Sequence, residues 1–156
     1  MLKKEQLVYQ EFDVIDYQDC FVVKGEFEDI DDFAKAYFLS QPSWLSLISM
    51  GMFSKIGIEK AIKLSKFEEN TCVGSWKIYV RDEKEIVFGD DMGFMEYRFF
   101  MMWVDTETIG VGTVVQFKGK FGKYYFDLVK LMHKNFVKKS LNSIDRVKEI
   151  YETDKI

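Results

Sequence analysis

The stretch Phe94 to Trp103, FMEYRFFMMW, reads as a strand with no side turned plainly to water. Strand side chains alternate, so Met95, Tyr97, Phe99, Met101 and Trp103 share one face, and Phe94, Glu96, Arg98, Phe100 and Met102 share the other. Apolar side chains on both faces ask for cover on both, so the rest of the chain must provide it.

The neighbouring sequence supplies a sheet. Ser75 to Arg81, Glu85 to Gly89 and Thr108 to Lys118 also carry strand signals, and the gaps Asp82-Glu83-Lys84, Asp90 to Gly93 and Asp105 to Glu107 are hairpin-sized. An antiparallel meander follows. In its last strand Ile109, Val111, Thr113, Val115 and Phe117 form the oily side, against Gly110, Gly112, Val114, Gln116 and Lys118. Hairpin pairing keeps like faces together, which places Glu96 and Arg98 outward as a surface pair. A slip of one residue reverses this and turns Arg98 toward a ligand.

Upstream, Asp13 to Gly25 predicts a first strand. Asp29, with Asp32 three residues on, caps a helix from Ile30 to Leu39. Ser40-Gln41-Pro42 restarts the chain into a second helix, Ser43 to about Ile56, with proline at its first position. Gly57 to Gly74 gives no clear signal and reads as a connector. From Gly122 to Tyr151 the repeat of Tyr125, Val129, Met132, Phe136, Val147 and Tyr151 predicts a helix of about thirty residues, roughly 45 Å long. The expected fold is α+β, a helix-grip: a curved antiparallel sheet wrapped around a long C-terminal helix, with two short helices after the first strand. One domain spans 1–156, and a cavity is expected between sheet and helix.

Composition suits a bulky, deformable interior, with 15 Phe, 8 Tyr, 3 Trp and 8 Met. The net charge of −4, with 22 basic and 26 acidic residues interspersed, argues against nucleic acid. Lys134, Lys138 and Lys139 read as a solvated helix face. Cys20 and Cys72 stand alone, without zinc spacing. The start, MLKKEQLVYQEFDV, lacks the apolar core of a secretory signal, and no run approaches about eighteen apolar residues, so a cytoplasmic protein without a membrane span is expected. Asp90-Asp91 offers too few oxygens for calcium, and Gly119-Lys120-Phe121-Gly122-Lys123 lacks phosphate-loop spacing. Neither a metal nor a cofactor is expected.

The order Asp16-Tyr17-Gln18-Asp19-Cys20-Phe21, then Pro42-Ser43-Trp44, then GDDMGFMEYRF, then TVVQFKGKFGKYYFDLVKLMH resembles a little-characterised bacterial family of START-like proteins. Its superfamily includes polyketide cyclases, lipid-transfer domains and the birch-pollen allergen. The resemblance spans roughly residues 13 to 141. It implies a helix-grip fold, a pocket for an apolar small molecule and no established reaction. The family pattern places His, a carboxylate and Arg on alternate strand positions and opens its helix near Pro-Phe-His. Glu96, Arg98 and His133 match, whereas Phe94 replaces the strand histidine and Leu131 and Met132 replace Pro and Phe.

A non-catalytic binder of a small apolar or amphipathic ligand is the leading expectation, with Tyr97, Phe99, Met101, Val115, Phe117, Tyr125, Met132 and His133 at the ligand. A cyclase or hydratase competes, with His133 as general base, Arg98 or Tyr97 polarising a carbonyl, and Glu96 as a further catalytic candidate. Ahead of that role, His133 reads as a structural histidine bonded to a nearby carbonyl or carboxylate. A third expectation is a partner subunit, a homodimer covering the outer sheet face near Phe100 and Met102.

Overall fold

Residues 95–103 lie near the middle of a seven-stranded antiparallel sheet. The structure, a computed structural model, describes residues 6–41 and 55–153. Its elements in order are α1 (Leu7–Gln10), β1 (Tyr17–Gly25), α2 (Ile30–Leu39), α3 (Lys55–Leu64), β2 (Cys72–Val73), β3 (Trp76–Arg81), β4 (Glu85–Asp91), β5 (Met95–Trp103), β6 (Thr108–Phe117), α4 (Lys120–Asn142) and β7 (Val147–Glu152). The strand order is β2-β3-β4-β5-β6-β1-β7, so the meander is joined on its far side by the first and last strands.

Register fixes what each face carries. Phe88 on β4 pairs with Phe99, Phe99 with Thr113 on β6, and Thr113 with Asp19 on β1. The next row is Ile86, Met101, Val111 and Phe21. These residues face α2, α3 and α4, and the main core includes Phe33, Phe38, Phe88, Met101, Val137 and Leu141. Asp29 accepts a hydrogen bond from the Asp32 amide at 2.7 Å and caps α2 as its spacing predicts.

The outer face differs from expectation. Glu96 and Arg98 do point outward, but the Arg98 side chain is only 3% exposed because the N-terminal segment lies over it. Val8 and Phe12 pack against Cys20, Val87, Phe100 and Val114. Glu85 accepts hydrogen bonds from the amides of Leu7 at 2.9 Å and Val8 at 3.2 Å. Arg98 bonds Glu96 at 2.7 Å and the Tyr97 carbonyl at 2.9 Å, lies 3.4 Å from the Tyr79 ring centroid and has Glu11 3.6 Å away. The expected partner subunit is therefore displaced: the chain's own N-terminus covers Phe100, which is fully buried, and reaches the partly buried Met102 through Gln6. A fully buried phenylalanine stabilises the fold by about 1.5–3 kcal/mol.

Other boundaries also move. The first strand starts at Tyr17 rather than Asp13. The predicted terminal helix ends at Asn142; Val147 and Tyr151 belong to β7, paired with β1. Apolar spacing carried the helical prediction through this turn, but β1 has an open edge whose amides and carbonyls gain partners from β7. The connector contains the helix Lys55–Leu64 and the short strand Cys72–Val73. The predicted second helix, 43–56, falls largely outside the described residues. No helix among the described residues is long and apolar enough to cross a membrane.

Gly112 records how tightly the outer layer is packed. It pairs with Phe100, and a Cβ at this position would lie 2.5 Å from the Asp19 carbonyl oxygen and 2.6 Å from Phe100 Cζ. Gly112→Ala is expected to cost about 1–3 kcal/mol, the usual range for overpacking. Chemical denaturation showing unchanged stability would contradict this packing.

Candidate functional site

The inner layer does not fill the space beneath the sheet. One end of α4 packs through Phe126 onto Met95 and Val115, and its other end enters the main core through Val137 and Leu141. Gly122 permits the first contact by bringing the helix backbone against β5: a Cβ there would lie 2.2 Å from the Phe94 carbonyl oxygen. Between the two packed ends lies a cavity of about 360 Å³. Its wall is built by Tyr97 and Phe99 on β5, Val111, Thr113 and Val115 on β6, and Tyr125, Val129, His133 and Phe136 on α4. Tyr37, Gln41, Trp76 and the exposed Met92 complete much of it.

Aromatic packing shapes one side. Phe99 stacks on Phe88 at 4.9 Å, and Trp76 meets Phe99 edge-on at 5.8 Å. The Trp76 indole N–H donates to the Tyr97 hydroxyl at 3.1 Å, fixing both rings. Burial is the main reason the Tyr97 phenol is pushed up to about 12, so it stays protonated at neutral pH.

A polar cluster interrupts the apolar wall. Asp19 accepts from the Thr113 amide at 3.1 Å and from the Tyr17 hydroxyl at 2.9 Å. Thr113 Oγ1 lies 3.1 Å from His133 Nε2, and Asp19 Oδ2 lies 3.6 Å from the same nitrogen. Desolvation lowers the His133 pKa; the Asp19 charge opposes that shift, and Lys134 adds to it. The imidazole is therefore neutral at neutral pH, with one nitrogen committed to Thr113. Desolvation likewise raises the Tyr17 and Tyr37 phenols.

Of the residues expected at a ligand, Tyr97, Phe99, Val115, Tyr125 and His133 line the cavity. Met101 is fully buried in the main core, Phe117 packs on Phe126 at 5.7 Å, and Met132 is 55% exposed on the far side of α4. These three lie outside the wall. The helical stripe alone does not separate Met132 from Phe136, since only about 40° of arc divides them. Glu96 and Arg98 lie on the opposite sheet face from His133, so a mechanism joining Arg98 to His133 at one substrate has no shared site. Asp19 and Thr113 were missed, although each stands on an otherwise apolar inward face, between Tyr17 and Phe21 and between Val111 and Val115. No group of three or more His, Cys, Asp or Glu side chains suited to a metal occurs among the described residues.

His133 gives a pH test. Its folded pKa lies below the model-peptide value of 6.5, so the unfolded chain binds the additional proton between those two values. Its contribution to stability is complete above pH 6.5 and is lost as pH falls toward the folded pKa. Denaturant unfolding at pH 7.5 and 5.5 is expected to show a smaller acid loss for His133→Gln than for the parent chain; an equal loss would contradict the assignment. The cavity has to be interpreted from its own chemistry, because no family model, curated protein or solved structure matches this chain.

Proposed function

We propose that the protein is a helix-grip, START-like binding protein that holds a small, neutral, amphipathic molecule between the sheet and α4. The observation that carries this reading is the roughly 360 Å³ cavity, an apolar chamber with a few placed polar groups. Its size lies within the range of small-molecule sites, about 300–1,000 Å³. The unbridged Cys20 and Cys72 fit action in a reducing compartment such as the cytoplasm.

The wall also selects a head group. No lysine or arginine occurs among its described residues, and the buried Asp19 carboxylate lies just behind Thr113 and His133. A ligand carboxylate would meet a like charge without a cation to offset it. Gln41 Oε1 is buried without a hydrogen-bond partner among the described residues and can accept from a ligand hydroxyl or amide. The best-matched ligand has an apolar body and an uncharged donor group. Catalysis by His133 is the weaker reading, because the observed Thr113 contact suits a positioned structural imidazole.

Native mass spectrometry of the purified protein, followed by titration with 1-decanol and decanoate under tryptophan fluorescence, tests the proposal. Decanol is expected to bind at least tenfold more tightly than decanoate, and Val129→Phe is expected to weaken it by narrowing the cavity. No retained ligand and no binding of either probe would remove the binding reading. Equal or tighter decanoate binding would remove only the neutral-head assignment.

A further inference from the structure

Helix α4 has a second apolar face that the cavity does not use. Phe121, Tyr124, Leu128, Leu131 and Met132 are 67%, 76%, 73%, 69% and 55% exposed. At 100° per residue they fall on one side of the helix, roughly opposite Phe126, Val129 and Val137. Lys120, Lys123, Lys130, Lys134 and Lys138 run along one flank, and Lys139 extends the stripe toward the C-terminal end. Six lysines and one aspartate lie on this helix, although the whole chain carries a net charge of −4.

We propose that this face of α4 docks on an anionic lipid membrane surface, lying in the interface without crossing it. Charge complementarity selects the occupant: an acidic chain has gathered lysines beside a row of apolar side chains that stands exposed among the described residues. Lys123 and Lys130 share Asp127, while Lys120, Lys138 and Lys139 make no ion pair with a described residue, leaving them available to lipid phosphates. Geometry points the same way. From Phe121 to Met132 the stripe rises about 17 Å and is narrow and convex. A stable dimer needs about 800 Å² per partner, whereas an amphipathic helix inserts such a strip into the headgroup boundary. The proposal stands whether or not the cavity is occupied.

Flotation of the purified full chain with phosphatidylcholine vesicles, and with vesicles in which about 30 mol% phosphatidylglycerol supplies an anionic surface, provides the test. Strong binding is expected only to the anionic vesicles, weakening in high salt. Leu128→Asp combined with Leu131→Asp is expected to reduce partitioning at least tenfold, as is Lys120→Glu combined with Lys138→Glu and Lys139→Glu. All five positions are exposed, and circular dichroism checks that each variant folds. Failure of the parent chain to bind anionic vesicles overturns the proposal, as does binding unaffected by both variants. A concentration-dependent dimer that Leu128→Asp dissociates, without vesicle binding, identifies a second copy as the occupant and also overturns it.

Discussion

A strand that is apolar on both faces needs two covers, and the architecture follows from the different ways these are made. On the outer face, α1 is held close by Glu85, whose carboxylate accepts two amides, while Val8 and Phe12 seal Phe100 from water. On the inner face, cover comes from helices anchored at separate places. Phe126 and Val137 dock the two ends of α4, and between them Val129 and Phe136 face Phe99 across the cavity while His133 reaches over to Thr113. One layer is close-packed, and the other leaves a partly open cavity beneath the sheet.

The sheet also separates two buried charges that a strand diagram places only a few residues apart in space. On the outside, the Arg98 guanidinium bonds Glu96 and the Tyr97 carbonyl and lies on the Tyr79 ring. Asp19 is satisfied inside by Tyr17 and the Thr113 amide. Desolvating either would be costly without these partners. Their separation leaves the cavity with a neutral imidazole and a nearby carboxylate, but without Arg98, favouring neutral ligands. Burial similarly raises the Cys20 thiol to about 12, keeping it protonated rather than nucleophilic at neutral pH.

Helix α4 is amphipathic in an unusual sense, since its two broad sides are both partly apolar. Phe126 and Val137 satisfy the inner side, while Tyr124 and Leu128 remain in water. Hydrophobic spacing alone does not divide the two rows, so it places Met132 beside the ligand and leaves the outward row undistinguished. Tertiary packing divides them.

Local patterning by itself determined the meander, the Asp29 cap, the outward orientation of Glu96 and Arg98, and much of the aromatic wall. Those features rest on alternation and short-range hydrogen bonds, which adjacent residues encode. The third dimension decided that the N-terminus would cover Phe100, that Val147–Glu152 would pair with β1 instead of extending a helix, and that Asp19 would meet Thr113 and His133. Each of these contacts joins residues far apart in the chain, and its stability depends on surfaces and open sheet edges that exist only after the strands have assembled.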